Sequence, residues 1–279
     1  MTIRTKRLFL PFFLLLSIFS FGQDEFDFES DFEFDFEPPI TFSSTRVISG
    51  HSVEVLPEKT FEMRIEHRFG DIAGTNGGVQ TMFGFDNVTD MRIALEYGVT
   101  KNLMLGFGRC KGTGVPYRSL VDGFVKYRFL EQVKDSMPIS LTLIGGTSFT
   151  YQKASSDISN VNNFPEVIHR FAYYSQLNLA KRFGKFLSVS IMPTLVHRNY
   201  VADADINTLI TLGGAMRFRL SKKFFLLTEY YHCFNGNEYR QQGYQNSLGI
   251  ALEWSTFGHN FIINSTNSKG LGETQFIPY

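Results

Sequence analysis

"FEMRIEHRF", residues 61–69, puts Phe61, Met63, Ile65, His67 and Phe69 at odd positions and Glu62, Arg64, Glu66 and Arg68 at even ones. Successive side chains leave a pleated backbone on opposite faces, so strict alternation over nine residues is the pattern of a strand with one apolar and one polar face. Four charges on the polar face suit the wet side of a soluble sandwich and the lumen of a membrane barrel equally. The rest of the chain has to decide between them.

The alternation recurs ten more times. It runs through "DMRIALEYG" (90–98), "NLMLGFG" (102–108), "VDGFVKYRF" (121–129), "PISLTLIGGTSFTY" (138–151) and "RFAYYSQLNLAKRF" (170–183). It continues in "FLSVSIMPTLVHRN" (186–199), "NTLITLGGAMRFRL" (207–220), "KFFLLTEYYHCF" (223–234), "YQNSLGIALEW" (244–254) and "HNFIINSTN" (259–267). Eleven strands of this length suit a bilayer crossed at a steep tilt. Their connections alternate in length. Residues 99–102, 131–137, 182–185, 220–223 and 255–259 are short, whereas 70–89, 111–119, 152–166, 199–206 and 235–243 are longer and more polar. That sorting marks an outer-membrane barrel, with tight turns on the periplasmic side and longer loops outside. The 30 Phe and 12 Tyr against one Trp supply the aromatic girdles such a barrel needs. The expected fold is therefore an all-β, transmembrane, antiparallel up-and-down barrel of about twelve strands. Eleven are visible, and a returning twelfth is expected after Tyr279, because single-chain bacterial barrels have an even number.

The first residues agree with export. Arg4, Lys6 and Arg7 precede the apolar "LFLPFFLLLSIFSF" (8–21), with cleavage expected after Gly22. No cysteine stands near that point to carry a lipid. Beyond it no apolar run reaches the 18 residues of a spanning helix. The expected layout is a signal peptide over 1–22, an acidic Phe-rich periplasmic arm and lead-in over 23–58, and an outer-membrane barrel over 59–279. In the arm, "EFDFESDFEFDFEPP" (25–39) belongs to a stretch of eight acids and no base over 24–37. Setting aside those acids and the leader's three bases, the 27 of each sign become 24 bases against 19 acids from Pro38 onward. An acidic terminal block reads as an interaction tail, able to dock a periplasmic partner or to fold back on the basic body.

Several stretches carry a family likeness. "TFSSTRVISGHSVE" (41–54), "EMRIEHRFGD" (62–71), "MFGFDNVTDMRIALEYGVTKNLMLGFGR" (82–109), "FVKYRFLEQ" (124–132) and "INSTNSKGLGETQFIP" (263–278) resemble the domain-of-unknown-function 5777 β-barrel family of Bacteroidota outer membranes. The likeness covers residues 40–275. Its most specific parts are Glu66, His67, Arg68, Phe69, Gly70 and Asp71, then Glu96, Tyr97, Gly98, Gly106, Gly108 and Arg109. The resemblance implies fold and location but no activity. It also implies one further strand after the last of these stretches, which this sequence does not contain.

No motif carries obvious chemistry. His51, His67, His169, His197, His232 and His259 stand singly, without the spacing of a metal site, so no metal or cofactor is expected. Cys110 and Cys233 form neither a C-x-x-C nor a disulfide framework. The Gly pairs at 145–146 and 213–214 read as relief of crowding within strands. A lipid-facing His with a Ser and an Asn or Asp would make a hydrolase, but no nucleophile elbow supports it, so no enzymatic activity is expected. The lumen-parity charges are the candidate site: Glu62, Arg64, Glu66, Arg68, Arg92, Glu96, Asp122, Lys126, Arg128, Arg217, Arg219 and Glu229. Mixed signs in a narrow lumen give as the expected function a narrow pore or binder for a small polar solute, with a non-transporting structural or partner-docking barrel, its lumen salt-bridged, as the alternative. The expected surroundings are outer-membrane lipid, with nucleic acid excluded by location.

Overall fold

The computed structural model describes residues 40–112, 118–236, 243–256 and 259–279. Eleven strands follow in order: β1 (Phe61–Phe69), β2 (Val88–Gly98), β3 (Leu103–Lys111), β4 (Ser119–Leu130), β5 (Ser140–Thr150), β6 (Phe171–Phe183), β7 (Leu187–Arg198), β8 (Thr208–Arg219), β9 (Phe224–Cys233), β10 (Leu248–Thr256) and β11 (His259–Thr266). Each pairs antiparallel with its sequence neighbours, in a single sheet of order β1 to β11. Every stretch read as a strand from its alternation is one. The acidic arm lies outside the described residues. No described helix is long and apolar enough to cross a membrane.

Short turns form where local polar groups satisfy the backbone. Thr100 Oγ1 accepts from the N–H of Asn102 and Leu103 at 3.3 and 3.1 Å between β2 and β3, and Gly184 turns β6 into β7 at a φ of 59° that other residues rarely adopt. The opposite end of the sheet carries the long loops.

The two faces of the sheet are sorted as the alternation requires. Phe61, Met63, Ile65, Leu95, Phe107, Val125, Leu195 and Ile250 are among the large apolar side chains left exposed on the outside. Arg92, Glu96, Lys126, Gln176, Asn178 and Arg198 are wholly buried on the inside. Arg68 on β1 donates through Nη1 to Asn264 Oδ1 on β11 at 2.7 Å, so the sheet wraps around until its edges face each other. No backbone ladder joins those edges among the described residues.

Three aromatic rings on the inner face lie over glycines directly opposite them on the neighbouring strand: Phe124 over Gly106, Tyr174 over Gly146 and Tyr231 over Gly213. A Cβ at these glycines would stand 2.2, 2.3 and 2.6 Å from the ring. The missing side chain is the ring's seat. Relief of crowding thus holds for one glycine of each pair read that way, Gly146 and Gly213, whereas Gly145 and Gly214 have nothing within 4 Å, and Gly106 is a third seat outside those pairs.

The lumen is occupied. Residues 41–56 form a small hairpin in which Arg46 bridges His51, Val47 N–H reaches Gly50 O at 2.9 Å, and Phe42, Val47, Ile48, Val53 and Leu56 are buried. After β11 the chain turns inward, and α1 (Glu273–Phe276) packs against β6 and β7 with Phe276 wholly buried. This corrects part of the expected layout. Residues 40–58, assigned to the periplasmic arm and its lead-in, leave that arm: their central part forms the core of the barrel. An apolar turn with buried polar flanks has no strand period to reveal it.

Candidate functional site

Most of the lumen-parity charges meet in compact groups, and the hairpin ties them together. On the β1–β2 side, Arg64 bonds to Glu62, lies 3.5 Å from Glu96 Oε1 through Nε, and donates to Thr45 Oγ1 at 2.7 Å. Thr45 Oγ1 donates in turn to Glu96 Oε2 at 3.0 Å, and Lys126 Nζ donates to Thr45 O at 2.9 Å. Next to it, Arg92 makes a two-pronged bond to Asp122 at 3.0 and 2.6 Å and a third contact to Glu66 at 2.8 Å. A planar guanidinium with its donors in a fixed fork is suited to such paired acceptors.

The remaining charges spread along the lumen. Glu229 on β9 receives the backbone N–H groups of Ile48, Ser49 and Gly50 at 3.0 to 3.2 Å. Arg68 donates to Ser49 Oγ at 2.7 Å as well as to Asn264. Arg217 grips Glu253 at 3.0 and 2.8 Å, and Arg128 lies between Glu54 at 3.9 Å and Glu131 at 3.0 Å. Arg219 stands apart, its side chain donating to Ser221 O in the adjoining turn.

The charges missed by parity alone sit at the centre. Arg46 Nη1 meets Glu273 Oε1 at 3.1 Å, and His51 Nε2 lies 3.0 Å from the Tyr174 hydroxyl and 3.6 Å from the same carboxylate. Burial works against the Arg46 charge, but Glu273 beside it holds the guanidinium above its usual range. His51 is pushed well below the usual imidazole value by burial and then by Arg46, Lys126, Arg92 and Arg64, so the ring is neutral. The carboxyl of Glu54 is raised by burial, with the N–H groups of Phe42 and Thr41 opposing. Glu253 and Arg198 could have been read from the same inward parity as Glu229. Arg46, His51 and Glu273 lie outside any strand.

The outward histidines give little chemistry. His67 is exposed on β1, and His232 lies 3.2 Å from the Asn246 amide through Nδ1. His197 Nδ1 does meet Thr208 Oγ1 at 2.8 Å, but no third group orients that ring among the described residues. Both cysteines are free, and no cluster of metal-ligating side chains occurs among the described residues.

The eleven-stranded wall with its apolar outer face agrees with what one comparison finds. The family model for a membrane bound beta barrel domain of unknown function, DUF5777, matches residues 42–279. The chain belongs to the DUF5777 family. No curated protein matches it. The match begins within the hairpin, so the residues that fill the lumen fall inside the DUF5777 domain together with the strands.

The residues singled out for their DUF5777 likeness now have physical roles. Glu66 and Arg68 are inward charges, while His67 and Phe69 face out. Gly70 N–H bonds to Gly84 O at 2.9 Å, and Asp71 Oδ1 receives Gly74 N–H at 2.9 Å, shaping the start of the first long loop. Glu96 anchors Thr45, and the Tyr97 ring lies tilted by 31° against Phe61, centroids 4.3 Å apart, on the outer face. A Cβ on Gly98 would stand 2.1 Å from Pro57 O, where the chain leaves the lumen to enter β1. Gly106 seats Phe124. A Cβ on Gly108 would stand 2.7 Å from both Arg92 Nη2 and Asp122 Oδ2, so this glycine leaves room for that ion pair. Arg109 lies over the Tyr151 ring at 5.6 Å.

Proposed function

We propose that this protein is an outer-membrane barrel whose lumen is a packed interior and not a conduit, and that it serves as a structural or partner-docking element. Of the two lumen readings left open by the charge pattern, one observation favours the filled one. The hairpin 41–56 and α1 are packed at the centre, where His51 and Phe276 have no exposed surface. A water path would have to break the Glu229 contacts to the hairpin or the Arg46–Glu273 pair. Buried charges stripped of their partners cost several kcal/mol, which opposes spontaneous opening.

Single-channel recording on the reconstituted full-length protein tests this reading. A silent bilayer across salts and voltages is expected. Steady unit conductance would overturn it in favour of a narrow pore for a small polar solute.

A further inference from the structure

The first long loop departs from the polarity expected of it. Residues 72–85, "IAGTNGGVQTMFGF", carry no charge, whereas 111–119, 152–166, 199–206 and 235–243 each carry at least two. Within that run Ile72, Val79, Met82, Phe83 and Phe85 are exposed, Val79 at 80% and Met82 at 63%. Single apolar residues on a surface need no explanation, but five within one uncharged loop form a patch that marks an interaction site.

These side chains are not left out for want of local structure. Phe83 N–H bonds to Gly78 O at 2.8 Å, Gly78 N–H to Ile72 O at 3.0 Å, and Gly70 N–H to Gly84 O at 2.9 Å. The bonds close the loop on its own base at the end of β1. Met82 and Phe83 hold left-handed φ angles of 47° and 54°, a conformation that bulky residues rarely adopt. Strain kept at two adjacent exposed positions points to a role for what they present.

We propose that residues 79–85 are an interfacial anchor, seated in the lipid leaflet at the long-loop end of the barrel. Continuity with the lipid-facing wall selects this occupant. The Phe85 ring lies 5.1 Å from that of Phe69, the last residue of β1. Phe69 ends the exposed outward row of Phe61, Met63 and Ile65, at the level where Tyr173 and Tyr230 also face out. Aromatic residues at a barrel's rim mark the membrane–water boundary. The loop therefore extends the lipid-facing surface sideways from its girdle. Its lack of charge suits the same place, and Asp71 and Asp86 bound the run where it would return to water.

The backbone fixes the depth. Irregular chain exposed to hydrocarbon would leave unpaired groups with nothing to bond, so the seat is the boundary of headgroups and chains. There, water still reaches the amides that the loop does not satisfy itself.

The test uses the full-length protein in phosphatidylcholine vesicles, with Trp254→Phe so that one introduced Trp reports. Phe83→Trp probes the loop, and Ile158→Trp, at a position 85% exposed in the charged loop 152–166, is the comparison. Lipids brominated near the headgroup end of their chains should quench the Phe83→Trp reporter strongly, and lipids brominated near the terminal methyl less. Iodide in the water should have little effect on it. The Ile158→Trp reporter should behave the opposite way, open to iodide and untouched by lipid. A Phe83→Trp reporter quenched by iodide and not by lipid would overturn the anchor, since the loop would then stand in water. Shielding from both quenchers would also overturn it, in favour of a second copy or another part of this chain as the cover. The unmutated protein gives a readout that does not depend on folding of the variants. A photoactivatable diazirine carried on the lipid chains should label residues 79–85 as well as the outward row of β1. Labelling of β1 without the loop would overturn the proposal. Neither readout depends on whether the lumen conducts.

Discussion

Glu229, on β9, holds the tip of the lumen hairpin by accepting the backbone N–H of Gly50 with both carboxylate oxygens, at 3.1 and 3.0 Å. Ile48 and Ser49 donate to the same group. One side chain thus satisfies three consecutive amides that no strand could reach. Gly50 is needed because a Cβ there would stand 1.9 Å from the Tyr231 hydroxyl.

Glu229→Ala should therefore loosen the hairpin while leaving the wall paired. Stranding three buried amides gives an expected loss of about 3 kcal/mol or more. Urea unfolding in detergent, with limited proteolysis of residues 44–52, reads the effect. An unchanged midpoint and an uncleaved hairpin would show that the contacts are incidental.

The glycine seats yield a paired prediction. Gly106→Ala forces the packed Phe124 ring aside and should cost about 1–3 kcal/mol. Gly145→Ala, on the outer face with nothing within 4 Å of its Cβ, should fall within about 0.5 kcal/mol of the parent. Equal losses at both sites would mean that backbone freedom, and not the ring, decides.

Within the charge network the losses should be unequal. Arg92→Ala leaves Glu66 and Asp122 without their shared partner in a buried setting, a change of about 3–5 kcal/mol. Arg219→Ala removes one contact to a turn carbonyl and should cost less than about 1 kcal/mol. The two unfolding midpoints, measured side by side, check this order.

Acidity should act on the centre through His51. The ring is neutral when folded because burial, Arg46, Lys126, Arg92 and Arg64 all oppose its charge, although the Glu273 carboxylate lies 3.6 Å away. An unfolded chain takes up a proton near 6.5 that the folded one refuses. Stability from this group is complete above that pH and falls as pH drops below it. His51→Gln should flatten this part of the stability profile between pH 7 and 5. A wild-type slope that persists in the variant would assign it elsewhere.

The wall was legible because its signal is local. In "FEMRIEHRF" and its ten successors each residue declares its face by parity, and the same parity brought Glu66, Arg92 and Asp122 together before any contact was known. The centre is not encoded that way. Thr45, Arg46 and His51 occupy a turn whose side chains point in several directions, and Glu273 joins them from the other end of the chain. Alternation can place a residue on the inside but cannot show what it meets there. For that reason a lumen of mixed charge was open to reading as a passage, with a packed interior as the alternative.

The Arg46–Glu273 pair spans 227 positions. The middle of the molecule cannot reach its final packing until residues from before the first strand and after the last are both present. Contacts so distant in sequence carry a large loop-closure cost and form late. Insertion of the wall and settling of its interior should therefore be separable events. A chain halted before residue 273 would enter the bilayer with a cationic guanidinium at its heart and without the carboxylate it pairs with.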